Sequence, residues 1–199
     1  MIELPAADLA DFGPLAERVL GLNPDEPYLR LRATGTAVQG FVRLAFDVLA
    51  GRSLARASSQ FDVTVGAAEF RQWLDEPQVQ PPARDAHWLA ALPPAAGWQR
   101  IEVVPDEAIR EVVRSGALLA RSTTSRAGQQ TLLSSIVLTA TAGTRSVEVP
   151  LGPLSALTRM GFLPRGGQAA VDIVPGWIRV AAGYGSTYVS TGSPLNLLG

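Results

Sequence analysis

The sequence contains no cysteine, no lysine and only one histidine, His87. A chain without cysteine has no thiol nucleophile, no disulfide bond and no cysteine-ligated metal cluster. A chain without lysine has neither the lysine of a phosphate-binding loop nor the amine that forms a Schiff base. These absences exclude many classes of enzyme. We therefore predict no catalytic residues, no cofactor and no metal site.

Charged residues are also scarce, at 18% of the chain, where soluble domains typically have roughly 25%. Hydrophobic residues make up 47% of the 199 positions, which is enough for a sizeable core. We expect a single compact domain over residues 1–199. The alternative is two halves, 1–75 and 98–190, joined by a proline-rich connector at 76–97. The low proportion of charged residues predicts that part of the surface is covered by a partner.

The net charge is only −1, but the charges are unevenly distributed along the chain. Residues 1–109 contain nine arginines and fifteen acidic residues, whereas residues 110–165 contain seven arginines and two acidic residues. This asymmetry indicates either a face that binds anions or two oppositely charged surfaces that attract each other.

The sequence shows neither the pattern of a targeting signal nor that of a membrane helix. The first residues are acidic, unlike a signal peptide, and no run approaches the roughly 20 apolar residues that a membrane helix needs. We expect a cytoplasmic protein without membrane insertion.

Periodicity and turn residues predict the elements of the first half. We expect helices at 8–20 and 67–74, strands at 28–32, 61–65 and 98–104, and one or two helical turns within 85–92. The stretch 38–54 fits either strands or a helix, and we favour a β-meander there.

In the second half we predict helices at 106–121 and 153–160, with a polar loop at 121–130 between the first of these and a hairpin. Gly161 is expected to end the second helix, with Phe162 in contact with Leu157.

Two hairpins can be aligned residue by residue. A turn at Ala142-Gly143 places Leu138 opposite Val147 and Ile136 opposite Val149. A turn at Pro175-Gly176 places Ile173 opposite Ile178, Val171 opposite Val180, and Asp172 opposite Arg179 on the outer face.

Together these elements predict an α+β fold with a largely antiparallel sheet and flanking helices. Each half also has the order helix, strands, Val-x-Val, helix, with Val-x-Val at 63–65 and 147–149. The two halves are therefore candidates for a pseudo-repeat of helix-hairpin-helix type.

One loop in the basic segment has the chemistry of an anion site. It offers hydroxyl groups between two guanidinium groups, which bind carboxylates and phosphates well. A second basic loop follows the helix at 153–160. The candidate anion-binding residues are Arg121, Ser122, Thr123, Thr124, Arg126, Arg159 and Arg165.

His87 is the one residue that suggests acid–base catalysis, with Asp85 nearby to orient its ring. A histidine at the surface or packed in the fold explains this position more simply. The adjacent carboxylates at 25–26, 75–76 and 106–107 flank turns or helix ends, where capping and solvation explain them.

Two segments carry a resemblance to known sequences. Residues 154–163 (LSALTRMGFL) and 183–189 (GYGSTYV) resemble an uncharacterised actinobacterial protein family of unassigned function. The resemblance covers about a quarter of the chain and implies no activity.

The leading functional hypothesis is a non-enzymatic binding or assembly protein that forms a homo-oligomer. It rests on the scarce charge, the charge asymmetry and the missing catalytic set. The first alternative is a nucleic-acid-binding regulator that uses the basic 110–165 segment. The second alternative is an enzyme based on carboxylates and arginines.

Overall fold

A computed structural model describes residues 2–22, 27–34, 36–55, 60–123 and 125–192. The chain forms two compact units. The first comprises Met1–Leu44 and Leu49–Ala91, and the second comprises Ala45–Val48 and Leu92–Gly199. The proline-rich connector is thus divided between the units. That residues 1–199 act as one domain stays a prediction.

The first unit packs two helices on a four-stranded antiparallel sheet of order β4-β1-β2-β3. Its core includes Phe12, Leu15 and Phe70 from the helical segments and Leu29 and Leu31 from β1, all fully buried. The elements are a 3-10 helix at Ala6–Phe12, α1 (Gly13–Leu22), β1 (Tyr28–Thr34), β2 (Val38–Arg43), β3 (Leu49–Leu54), β4 (Gln60–Gly66), α2 (Ala67–Asp75) and a 3-10 helix at Asp85–His87.

The second unit has a four-stranded antiparallel sheet of order β10-β9-β8-β5 and a separate hairpin, β6-β7. Helix α5 packs against β10, and α3 and α4 pack against α5. The elements are a 3-10 segment at Ala45–Asp47, β5 (Gln99–Pro105), α3 (Asp106–Arg121), α4 (Arg126–Ser134), β6 (Ile136–Ala142), β7 (Arg145–Pro150), α5 (Leu151–Arg159), β8 (Gln168–Val174), β9 (Trp177–Ala182) and β10 (Gly185–Ser190).

These units confirm the predicted α+β class with antiparallel sheets and flanking helices. The bounds of α3 agree with the prediction, and the β-meander at 38–54 is present as β2 and β3. Both halves keep the order helix, strands, Val-x-Val, helix. In the described residues, four strands lie between α1 and α2, whereas two lie between α3 and α5.

The predicted polar loop at 121–130 is wrong, because α4 begins at Arg126. Ser125 caps this helix, since its hydroxyl oxygen accepts a hydrogen bond from the backbone N–H of Gly128 at 3.1 Å. A serine followed by helix-forming residues is a signal for the start of a helix. It was overlooked because the segment is polar, which is also typical of a loop.

The two hairpins gave different outcomes. In β8-β9 the predicted pairs, including Asp172 with Arg179, are confirmed. The Asp172 side chain is only 2% exposed, so its predicted place on an outer, solvated face is wrong. The indole ring of Trp98 covers this face, because the Arg179 guanidinium lies 4.5 Å from the ring centre.

In β6-β7 the register is shifted by two residues from the prediction. Leu138 pairs with Val149, and Ala142 pairs with Arg145. Gly143, with φ +60°, is therefore the first of the two turn residues, a position that favours glycine in type II′ turns. Since this shift is even, the side chains from Leu138 to Val149 keep their predicted faces. An irregularity after Ile136 pairs that residue with Pro150, one position beyond the predicted Val149.

The end of α5 confirms the predicted glycine stop. Gly161 has φ +67°. The N–H of Phe162 donates to the carbonyl of Leu157 at 3.0 Å, and the N–H of Gly161 donates to the carbonyl of Thr158 at 3.1 Å. These two bonds form a Schellman motif.

Candidate binding site

A pocket of about 490 Å³ lies between α3, α4 and α5 of the second unit, and we call it the helical pocket. From α3 it is lined by Val113, Gly116, Ala117 and Ala120. These positions have the spacing i, i+3, i+4 and i+7, so they form one face of the helix. Three of the four side chains are small or absent, and this leaves room beside the helix.

Close packing of α3 on α5 forms the floor of the helical pocket. A Cβ atom at Gly116 would lie 2.5 Å from a methyl carbon of Leu151, the first residue of α5. Any larger residue at position 116 would therefore require the Leu151 side chain to move. The opposite wall is α4, which contributes Gln129, Leu132 and Leu133.

A strained residue completes the wall. Phe46 lines the helical pocket and has φ +61° and ψ +40°, which is the left-handed region. This conformation is unusual for a bulky side chain and costs roughly 1–2 kcal/mol. The fold therefore holds Phe46 against its local preference, and such strain is often found at binding sites.

Two arginines give the helical pocket a positive edge. Arg121 and Arg159 both line it, together with the amide of Gln129 and the hydroxyl of Ser155. Within the described residues, the Arg121 side chain has no ion pair and no hydrogen bond. Apolar walls with guanidinium groups at the edge suit a molecule with an apolar body and an anionic end.

The structure brings Arg121 and Arg159 together at this pocket, but it uses the hydroxyl groups of the predicted loop differently. The hydroxyls of Ser122 and Thr123 donate to the carbonyl of Leu119, at 2.7 and 3.1 Å. They cap the end of α3. Thr124 lies outside the described residues, and Arg126 starts α4 without lining the pocket.

Arg165 lies away from this group. The neighbouring Gly166 donates its N–H to a carboxylate oxygen of Asp106, at the first residue of α3, at 3.1 Å. Arg121 is the last residue of that helix, about 22 Å along its axis. The loop at 165–167 therefore already holds a carboxylate of its own chain.

Asp106 is a buried structural anchor for that loop. Its carboxylate also accepts a hydrogen bond from Arg110 at 3.0 Å. This bond is the main reason why the pKa of Asp106 is lowered. Burial opposes it, and the Gly166 N–H lowers the pKa further.

His87 and Asp85 are placed for packing in the first unit. The His87 ring stacks on Tyr28, with ring centres 4.9 Å apart. The carboxylate of Asp85 accepts a hydrogen bond from the backbone N–H of Thr64 at 2.7 Å. Across the described parts of the chain, no three acidic or histidine side chains gather in a way that could hold a metal ion.

Sequence reasoning did not identify Phe46, Gln129 and Ser155 as lining residues. The one signal available was the run of small residues at helical spacing on α3, at positions 116, 117 and 120. That signal marks a close approach of helices, but it does not locate a pocket.

Family comparisons divide the chain much as the structure does. The family described as Domain of unknown function (DUF8185) matches residues 93–194. The chain belongs to this family. A second family, Domain of unknown function (DUF8010), matches residues 3–90. The predicted relation to an uncharacterised family is thus confirmed. No curated protein matches the chain in sequence.

Solved structures of DNA polymerase sliding clamps share the fold. The clamp from Caulobacter crescentus has a TM-score of 0.56 and 12% identity, over 94% of this chain and 65% of the clamp. The clamp from Bacillus subtilis has a TM-score of 0.59 and 12% identity, over 92% and 63%. The β subunit of DNA polymerase from Streptococcus pyogenes has a TM-score of 0.57 and 11% identity, over 94% and 63%.

The chain thus spans just under two thirds of the length of these clamps, and at such low identity the likeness concerns the fold alone.

A separate observation concerns membranes. No helix in the described ranges is long and apolar enough to cross one.

Proposed function

We propose that this chain is a non-enzymatic assembly protein that associates with further copies of itself. The sliding-clamp fold, matched over 92–96% of the chain, carries this proposal. The names of those structures describe sliding clamps of DNA polymerase and, in one case, a β subunit, which is by definition part of a larger assembly. We also infer a cytoplasmic location, as the sequence predicted.

Exposed apolar side chains support self-association. In the second unit, Leu118 and Leu119 on α3 are each 59% exposed, and Ile136 on β6 is 48% exposed. In the first unit, Val79 and Leu89 are 79% and 83% exposed. Since large exposed apolar residues often mark interfaces, these positions are candidates for contacts between copies.

Sedimentation velocity over a concentration series tests this proposal. We expect the mean mass to exceed that of one chain and to rise with concentration. The variant Leu118→Asp/Leu119→Asp should shift the distribution towards the monomer if α3 lies in the interface. Arg165→Glu, which also adds negative charge but lies in the loop beside the first residue of α3, serves as the control. A single monomeric species for the wild type at about 100 μM would overturn the proposal.

Nucleic-acid binding is the second candidate function, and one observation favours it. Arg121 and Arg126 flank the short turn between α3 and α4, and neither has a partner in the described residues. Two such arginines are few, because phosphate binding normally needs several cations on one face. This candidate therefore ranks below self-association.

Fluorescence anisotropy with a labelled duplex at several salt concentrations tests the second candidate. Binding that weakens steeply with salt and is lost in Arg121→Ala/Arg126→Ala would support it. Binding unchanged by that double substitution would contradict it.

A further inference from the structure

We propose that the helical pocket binds a small amphipathic anion, namely an apolar chain or ring system that ends in a carboxylate. The inference goes beyond self-association and does not depend on it. It rests on the shape of the pocket, on its apolar walls and on the charge at its edge.

The size of the helical pocket favours a small molecule. Its volume of about 490 Å³ lies within the range of roughly 300–1,000 Å³ that small-molecule sites occupy. Val113, Leu132, Leu133 and Leu151 provide aliphatic walls, and Phe46 provides an aromatic one. Burying an apolar chain against these side chains supplies the main driving force.

The positive charge at the edge of the helical pocket favours an anionic group at the other end of the ligand. Arg121 lines the helical pocket without a partner in the described residues, and Arg159 lines it as well. Of the acidic residues that the structure describes, none lines it. A guanidinium group offers paired N–H donors that match the two oxygens of a carboxylate. A neutral or cationic ligand of the same size would lack this interaction.

Polar groups beside the arginines can orient the ligand's carboxylate. The Gln129 amide can donate to a carboxylate, and so can the Ser155 hydroxyl. Few polar groups in a mostly apolar site are the usual arrangement for a site that orients its ligand.

Dye binding to the purified full chain tests the proposal. Anilinonaphthalene sulfonate is apolar and anionic, and phenylnaphthylamine has the same ring system without the sulfonate. Decanoate and decanol are a matched pair of competitors that differ in the charged end. Titration of each dye, followed by displacement with each competitor, separates the apolar contribution from the charge contribution.

Three variants locate the binding. Ala117→Trp should fill the helical pocket from an exposed helix position, and Ala117→Leu is a smaller change if the first variant does not fold. Arg121→Glu removes the cation. Arg165→Glu makes the same charge change about 22 Å away and serves as the matched control. Circular dichroism and urea midpoints verify that each variant is folded.

We expect decanoate to displace the anionic dye at a concentration at least tenfold lower than decanol does. Arg121→Glu should weaken the anionic dye about tenfold and leave the neutral dye nearly unchanged. Ala117→Trp should abolish binding of both dyes, and Arg165→Glu should change neither. Equal competition by decanoate and decanol, wild-type binding in Arg121→Glu, or wild-type binding in a folded Ala117 variant would each overturn the proposal.

Discussion

Replacing Asp172 with asparagine should destabilise the second unit more than its single-atom change in shape suggests. The Asp172 carboxylate is 2% exposed and lies between two arginines. It accepts hydrogen bonds from Nε and a terminal nitrogen of Arg179, at 3.0 and 2.9 Å, and from Nε of Arg100 at 3.2 Å. Asparagine keeps the shape but removes the negative charge that both guanidinium groups face.

The exposure of the partners sets the magnitude. Removing one member of a fully buried ion pair costs about 3–5 kcal/mol, because the remaining charge is left without water. Here the Arg179 side chain is 24% exposed and the Arg100 side chain is 62% exposed. Both can regain part of their hydration, and the amide oxygen of asparagine can still accept hydrogen bonds from Arg179. We therefore expect a loss of about 2–3 kcal/mol.

Urea unfolding followed by tryptophan fluorescence measures this loss, and Trp98 reports on the site because it lies over Arg179. The matched control is Asp62→Asn in the first unit. Asp62 pairs with Arg30 at 2.8 Å, but its side chain is 43% exposed. The control should lose less than about 1 kcal/mol. Equal losses in the two variants would refute the argument that burial decides the cost.

Three further predictions concern local features of the second unit. Gly161→Ala should lower the free energy of unfolding by about 1 kcal/mol, because φ is +67° there, and an unchanged urea midpoint would contradict this. Ser125→Ala should cost about 1 kcal/mol and reduce the helical signal in circular dichroism, because α4 loses its cap. Asp106 has a pKa lowered mainly by Arg110, so its contribution to stability is present above about pH 4 and is lost as the pH falls below that value. The urea midpoint of Asp106→Asn should therefore differ from wild type at pH 7 and approach it at pH 3; a difference that is the same at both pH values would contradict the assignment.

Features that depend on neighbours in sequence could be predicted well. The amphipathic pattern of 106–121 predicted α3 with its bounds, and the turn at Pro175-Gly176 predicted every aligned pair of β8-β9. In both cases the signal and the structure it specifies lie within one element or one hairpin. The end of α5 at Gly161 belongs to the same class, because the Schellman bonds join residues that are three to five positions apart.

Features that depend on distant residues could not be predicted. The alternation of β8 correctly placed Asp172 on the face opposite Val171, and this face was expected to be solvated. It is covered because Trp98, more than seventy positions earlier, lies across the arginine that pairs with Asp172. A hairpin register specifies which residues share a face. It does not specify whether another segment shields that face from water.

The helical pocket depends on both kinds of feature, and this explains why only two of its lining residues were among the predicted anion-binding candidates. Arg121 and Arg159 stood out because they lie in the basic segment, and both line the pocket. The opposite wall of the pocket is α4, which was predicted to be a loop. Without α4, the face of α3 that carries small residues would have no facing wall, and no pocket would form. The cap that starts α4 is a single bond from Gly128 to Ser125. Ser125→Ala should therefore weaken dye binding as well as stability, whereas Gly161→Ala should affect stability alone, since Gly161 does not line the pocket.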